Sequence, residues 1–379
     1  MLPEMRREIL DRWESMDRTR ARPGSLHFLG IRGSIRSGRV TFLVFIKGEE
    51  EPLFTLKILR NKKKKEQFVN EPETLKELSG YPGISEFVPK VLMTGVCAGA
   101  EFVLESYIAG QTMKAPVNSD GLPVENDAAN AFAVIRDWFR VLYSATERNT
   151  TDTVHGDEMA KRVETMVAEY EQRLRPDQHE AKLLRVMSEE YDGLIKDGLV
   201  LHRAHGDFCR QNILFEGEHL SGVIDWELSR PAESPLFDMF TFLVNHHLFS
   251  GMESGRMRYE RCFRETFLEE NRYSTLVKRL IRSCCKIMGV SHEAAPFLLA
   301  YAVASEAVAE HIVLEEASHR GFIPWSGETD QLDKAAGFEE LFRTQMWKII
   351  FRTFEQFQFR ESVNSKTAKT IPIRLCPQL

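Results

Sequence analysis

The chain has 379 residues, 43% of them apolar, which is enough for two packed domains or one large domain with lobes. A formal net charge of −6 and a pI near 6.1 argue against the basic face that nucleic-acid binding requires. Six cysteines (Cys97, Cys209, Cys262, Cys284, Cys285 and Cys376) stand apart except for one adjacent pair, which excludes a dense disulfide framework and a CxxC metal knuckle and fits a reduced, cytoplasmic setting.

Taken in chain order, residues 1–20 read as a charged amphipathic helix without the apolar core of a signal peptide, and Arg22-Pro23-Gly24 breaks it. Short runs of Val, Ile, Phe, Leu and Thr follow at strand length: His27 to Leu29, Val40 to Ile46 and Leu53 to Leu59. Phe68, Leu75 and Leu78 then recur at helical spacing, and two more strand-like runs, Val88 to Leu92 and Glu101 to Ile108, end at Ala109-Gly110. From there the texture becomes helical, over about residues 127–146, 156–174, 177–196, 255–288, 292–316 and 336–358, interrupted by short strands and loops from Val200 to Ser229. The most apolar stretch, Pro296 to Leu314, carries Glu306, Glu310 and His311, so it reads as a buried helix and no membrane span is expected. The division expected is an N-terminal helical extension at 1–24, a β-rich lobe with one helix at 25–105, a helical lobe at 106–358 and a tail at 359–379.

One constellation carries chemistry. His205-Gly206-Asp207 is followed by Asn212 and, past a hairpin expected over Ile213 to Ile224, by Asp225 in Val223-Ile224-Asp225-Trp226-Glu227. Such a loop, hairpin and loop can bring three oxygen ligands together. Magnesium-dependent phosphoryl transfer asks for that set, because its transition state needs an aligned nucleophile and neutralised phosphate charge rather than covalent help. Asp207 would accept the acceptor's proton, and Asn212 with Asp225 would supply hard oxygens to Mg2+. The chain holds a control: His155-Gly156-Asp157 repeats the tripeptide with Arg162 in place of the asparagine and no hairpin after it, which reads as a helix N-cap.

These strings resemble the aminoglycoside phosphotransferase and choline kinase family, relatives of the protein kinases whose catalytic loop reads HGDxxxxN and whose metal aspartate lies in an IDWE or IDFE segment. The resemblance implies an α+β, kinase-like two-lobe fold with ATP or GTP as donor, Mg2+ as cofactor and a small hydroxylated acceptor. It makes Lys57, flanked by apolar residues, the grip on the nucleotide phosphates, with Glu71 of the Asn70-Glu71 pair as its partner and Glu73 the other choice. It places the phosphate loop at Gly30 to Gly38, around Ser34, and the adenine-binding linker at Ser106 and Ile108. His205 and Asp238 would brace the catalytic loop.

The acceptor stays open among aminoglycosides, amino alcohols, sugars and related metabolites, and no oligomeric state is implied. A protein kinase is the second reading, opposed by His-Gly-Asp in place of His-Arg-Asp and by the missing Ala-Pro-Glu element. A non-catalytic nucleotide-binding scaffold is the third, opposed by the presence of every catalytic element. Lys62 to Lys65 read as a solvated turn, and Cys284-Cys285 as helix packing.

Overall fold

The computed structural model describes residues 1–16, 20–31, 38–149, 153–248, 256–319 and 346–354. It divides into two compact units. The first is Met1–Met113 with His205–Asp207 and Gln211–Ser229, and the second is Lys114–Ala204 with Phe208–Arg210 and the chain from Arg230 on.

The first unit opens with helix α1 (Leu2–Asp11) and a single turn, α2 (Trp13–Met16), which part at Arg12 where one continuous helix was expected. Met5, Ile9 and Trp13 recur every four residues and bury one stripe, the Trp13 ring meeting the Phe54 ring edge-on at 5.7 Å. Strands β1 (Leu26–Ile31), β2 (Arg39–Ile46) and β3 (Phe54–Leu59), helix α3 (Lys65–Leu78), and strands β4 (Val91–Cys97) and β5 (Ala100–Ser106) follow. The strands form an antiparallel sheet in the order β1-β2-β3-β5-β4. Strand β4 begins three residues later than the expected Val88 and runs on to Cys97. Its connection to β5 turns through Ala98 and Gly99, both at positive φ, and an alanine there gives no sequence signal of a hairpin.

Two-residue periodicity gives this sheet two different faces. Leu26, Val44, Phe54, Leu56, Ile58 and Phe102 pack with the α1 stripe, while Leu59 and Val103 pack with Phe68 of α3 on the other face. Helix α3 runs through Pro72, which leaves the Phe68 carbonyl without its usual donor, so the proline does not mark the helix start. Strand β6 (Gln111–Thr112) ends this part of the unit.

The second unit continues with α4 (Glu125–Thr146), β7 (Arg148–Asn149), α5 (Thr153–Leu174), α6 (Gln178–Lys196, N-capped by an Asp177–Glu180 capping box) and β8 (Val200–Ala204). The chain then returns to the first unit with the expected hairpin, β9 (Ile213–Glu216) and β10 (His219–Val223), where β9 also pairs with β6. Strand β11 (Arg230–Glu233) pairs with β8 in the second unit. Helices α7 (Phe237–Leu248), α8 (Arg256–Phe263), α9 (Arg272–Ile287), α10 (Ala295–His319) and α11 (Met346–Thr353) complete it. The single helix expected over 255–288 is interrupted by a π-turn at Arg264–Leu268 and restarts at Asn271, whose side chain caps Ser274. One described segment, His292–Glu316, is long and apolar enough to cross a membrane, and 61% of its apolar window is buried inside the protein. Residues 336–345 and 355–379 of the expected last helix and tail lie outside the described residues.

Candidate active site

Lys57 is built into β3 on the face that α3 covers. Strand alternation sends Phe54, Leu56 and Ile58 to one face and Lys57 and Leu59 to the other. Cross-strand pairing sets Lys57 against Val103 of β5, so Glu105, two residues on, shares its face; Leu59 pairs with Arg39 of β2, which joins the same face. The consequence is a buried charge cluster. Lys57 Nζ lies 2.6 Å from Glu71 Oε1 and 2.8 Å from Glu105 Oε2. Glu71, and not the exposed Glu73, is therefore the residue α3 presents to Lys57.

Arg39 is the second cation of the cluster. Its Nη1 lies 2.8 Å from Glu71 Oε2 and 2.9 Å from Glu227 Oε2, and its Nη2 donates to Asp225 Oδ1. Glu71 also accepts the Trp226 N–H at 3.0 Å, and the Asn70 amide donates to the carbonyls of Glu227 (3.0 Å) and Ser229 (2.9 Å). One turn of α3 thus holds the segment after Asp225 through both main chain and side chains.

The two loops of the constellation meet around His205. Its Nδ1 accepts the Asp207 N–H at 3.2 Å, so Nε2 is the donor to the Ile224 carbonyl at 2.9 Å, and its ring packs on Trp226 at 4.6 Å. Both ring nitrogens are thereby committed to shaping the loops. The Asn212 amide nitrogen donates to the Asp207 carbonyl (2.9 Å) and to Asp207 Oδ2 (3.3 Å), which leaves Asn212 Oδ1 as the atom able to meet a cation. Asp225 has φ 71° and ψ 56°, a left-handed conformation that aspartate tolerates better than most residues. Gly206, at φ 82°, has no such latitude: a Cβ there would collide with the Leu228 carbonyl oxygen.

Charge accounting explains the electrostatics. Among the described residues, the carboxyl groups of Glu71, Glu105, Asp225 and Glu227 are paired with Lys57 and Arg39, so acids outnumber cations and leave a deficit of positive charge. Burial pushes Glu105 up to about 7, with Lys57 offsetting only part of the effect, and burial pushes Glu227 up to about 7 against Arg39. Burial also opposes ionisation of Asp225, but Arg39 and then Lys57 outweigh it and lower its pKa. For Lys57 burial acts downward, yet Glu105 and Glu71 prevail and its pKa is raised. A divalent cation would close the deficit. The donors suit one that prefers oxygen, since Asn212 Oδ1 and Asp225 are hard ligands, although Arg39 already claims Asp225 Oδ1.

Of the remaining expected residues, Ser34 lies outside the described residues. Ser106 spends its N–H on the Lys90 carbonyl (2.9 Å) and its hydroxyl on the Lys90 N–H (2.8 Å), tying the end of β5 to the segment before β4. Ile108 lies beyond the strand, against Gly222, where a Cβ would sit 2.6 Å from its Cγ2. Asp238 is buried in the first turn of α7. Asp157 is exposed and sits inside α5, which starts at Thr153, so the tripeptide His155 to Asp157 is helix interior rather than the N-cap expected. Of the lysine run, Lys62, Lys63 and Lys65 are exposed, as a solvated turn should be, whereas Lys64 is buried. Cys284 and Cys285 are both buried. Sequence reasoning missed Arg39 and Glu105 and gave Glu227 no role.

Residues 35–269 match the phosphotransferase enzyme family. No curated protein matches the chain. Among solved structures, the chain is similar to a thermostable mutant of aminoglycoside phosphotransferase APH(4)-Ia at 11% identity, over 88% of this chain and 97% of that one, with a TM-score of 0.49. It is similar to aminoglycoside phosphotransferase APH(3'')-Id from Streptomyces rimosus in complex with ADP and streptomycin at 13% identity, over 79% and 98% of the two chains, with a TM-score of 0.45. Choline kinase LicA from Streptococcus pneumoniae is 13% identical over 89% and 98%, with a TM-score of 0.44.

Proposed function

The chain belongs to the phosphotransferase enzyme family, and from that premise we propose that it moves the γ-phosphoryl group of ATP or GTP to a hydroxyl of a small molecule, with Asp207 as base. Its fold is of the α+β, kinase-like class, with a β-sheet unit followed by a mainly helical one. The single observation that carries the reading is the gathering, within the first unit, of the Lys57–Glu71 pair with Asp207, Asn212 and Asp225 from loops distant in the chain. Nothing in packing alone asks for so many buried charges, because each costs desolvation energy that an apolar pair would not.

Each residue then has a task. Lys57, kept protonated by Glu71 and Glu105, offers a fixed ammonium to phosphate oxygens. Asp207 gives one carboxylate oxygen to the Asn212 amide and keeps the other for the acceptor hydroxyl, whose proton it takes as the oxygen–phosphorus bond forms. Mg2+, held by Asn212 Oδ1 and Asp225, would neutralise phosphate charge as it develops. His205 sets the angle of the Asp207 loop through its two ring hydrogen bonds and moves no proton. The backbone of Ile108, just past the end of β5, would meet the edge of a purine, and acceptors of the aminoglycoside, amino alcohol and sugar classes share the hydroxyl that Asp207 needs.

A nucleotide-consumption screen over such hydroxylated compounds tests the reading. Asp207→Asn is expected to lower acceptor-dependent turnover by about two to four orders of magnitude with nucleotide affinity nearly unchanged. Asp157→Asn, on the exposed face of α5, is expected to stay within a few-fold of wild type. Wild-type turnover in Asp207→Asn, or a collapse in Asp157→Asn, would remove Asp207 from the mechanism.

A further inference from the structure

The second unit holds a mixed nitrogen, sulfur and oxygen cluster that phosphoryl transfer does not use. His247 near the end of α7, Cys262 of α8 and Glu265 in the π-turn after α8 place one ligand atom each within 4.8 Å of one another, the one such group among the described residues. His247 and Cys262 are buried, and Glu265 keeps 18% of its side chain open to solvent. Cys262 and Glu265 are three residues apart on one side of the chain's turn, so the backbone itself brings thiol and carboxylate together. The π-turn, where the Glu269 N–H bonds back to the Arg264 carbonyl at 2.8 Å, is a form of helix that recurs at functional positions.

The hydrogen bonds around the imidazole decide its tautomer. Thr266 Oγ1 donates to the Cys262 carbonyl at 2.6 Å, so its proton is spent and it can only accept from His247. His247 Nδ1 lies 3.0 Å from that oxygen and 3.2 Å from the same carbonyl, both acceptors, and so must carry the hydrogen. Nε2 faces Glu265 Oε2, 3.4 Å away, so in the neutral ring its lone pair points into the cluster. A metal-bound histidine has this arrangement, with its far nitrogen donating to a carbonyl or hydroxyl that fixes the ring. The other Glu265 oxygen, Oε1, lies 3.9 Å from the Arg261 guanidinium.

We propose that His247 Nε2, Cys262 Sγ and Glu265 Oε2 form a binding site for a divalent transition metal, of which Zn2+ suits the donors best. Imidazole, thiolate and carboxylate together favour a borderline metal over Mg2+ or Ca2+, and three protein ligands leave a fourth position for water. Metal–nitrogen and metal–sulfur bonds of about 2.0 and 2.3 Å would draw the three atoms roughly 1 Å closer than their present outer limit, within reach of side-chain rotation. On binding, the Cys262 thiol gives its proton to solvent and the sulfur–metal bond replaces the S–H bond; no electron moves. The competing account is a buried imidazolium–carboxylate pair with a bystander thiol.

The full chain, stripped with chelator, is titrated with Zn2+ and separately with Co2+ as a spectroscopic stand-in. About one equivalent of zinc should remain after gel filtration, the melting temperature should rise, and the cobalt form should show a thiolate charge-transfer band in the near ultraviolet. Cys262→Ser should lose the band and Glu265→Gln should weaken zinc retention at least tenfold, with circular dichroism reporting whether each variant folds. Asp225→Ala should keep the band, which separates this site from the nucleotide site. No retained zinc and no band in the folded wild type, or a band that survives Cys262→Ser, overturns the proposal; if neither variant folds, the wild-type cobalt band alone decides.

Discussion

Arg39 and Asp225, 186 residues apart in the chain, are directly ion-paired, and the same guanidinium reaches Glu71 and Glu227. A carboxylate expected to meet a metal thus already has a resident cation. Because acids outnumber cations in the cluster among the described residues, a divalent ion can add to it without first driving Arg39 out of the protein.

Replacing Arg39 with Met should therefore be costly in a specific way. It takes from the carboxylates of Glu71, Asp225 and Glu227 the guanidinium they share, and removing one partner of a buried pair typically costs about 3–5 kcal/mol. Urea unfolding without metal is expected to show a loss of that order, and added Mg2+ should stabilise Arg39→Met more than wild type. Equal magnesium responses in the two proteins would show that Arg39 and the metal do not serve the same charge.

Glu71 and Glu73 provide a paired test on one helix. Glu71 accepts from Lys57, Arg39 and the Trp226 N–H, so a neutral glutamine removes the one carboxylate that Lys57 and Arg39 share and weakens three buried contacts at once. Glu71→Gln is expected to lower stability by about 2–4 kcal/mol and to depress kcat/KM for nucleotide, while Glu73→Gln, on an exposed position, should stay within about 0.5 kcal/mol. Chemical denaturation of both variants is the measurement, and equal effects would mean that α3 presents a different face.

How much of this was legible beforehand depends on which interactions are local. The hairpin after Asn212, the αL-tolerant aspartate and the Asn70-Glu71 pair stand in short strings, so the constellation could be read from the letters. Arg39 could not. It opens a strand whose alternate residues Val40, Phe42 and Val44 are apolar, the pattern of a sheet with one wet face, and only α3 lying over that face makes it dry. Glu105 escaped for the same reason, its position depending on β5 pairing with β3 in a register no local signal sets. The break between α8 and α9 was announced by Asn271, a cap signal overridden by the long helical periodicity around it.

Gly206 tests whether the catalytic loop tolerates a side chain. Alanine there is strained twice, by φ 82° and by the clash of its Cβ with the Leu228 carbonyl oxygen. Gly217, at φ 61° with nothing within 4 Å of an added methyl, carries the conformational strain alone. Gly217→Ala should cost about 1 kcal/mol and leave turnover intact, whereas Gly206→Ala should cost several times more and lower turnover by at least tenfold as Asp207 shifts. Comparable losses from both would mean that the contact with Leu228 relaxes freely.

The pH dependence of stability has a sign fixed by histidines in the second unit. Burial lowers His202 to about 4, its ring 4.5 Å from that of Tyr143, and burial lowers His246 to about 3, helped by the charge of Arg210. Both are held neutral when folded but take a proton near pH 6.5 when unfolded, so the unfolded chain binds more protons below that pH and stability falls as pH falls. The loss begins near pH 6.5 and continues down to about pH 4 for His202, at up to roughly 1.4 kcal/mol per pH unit. Carboxylates elsewhere titrate in part of the same range, so the informative quantity is the difference between proteins. His202→Phe keeps an aromatic ring against Tyr143 and cannot bind a proton, and its urea midpoint should therefore decline less than that of wild type between pH 6.5 and 4.5. Parallel declines would mean that His202 ionises in the folded protein as readily as in the unfolded chain.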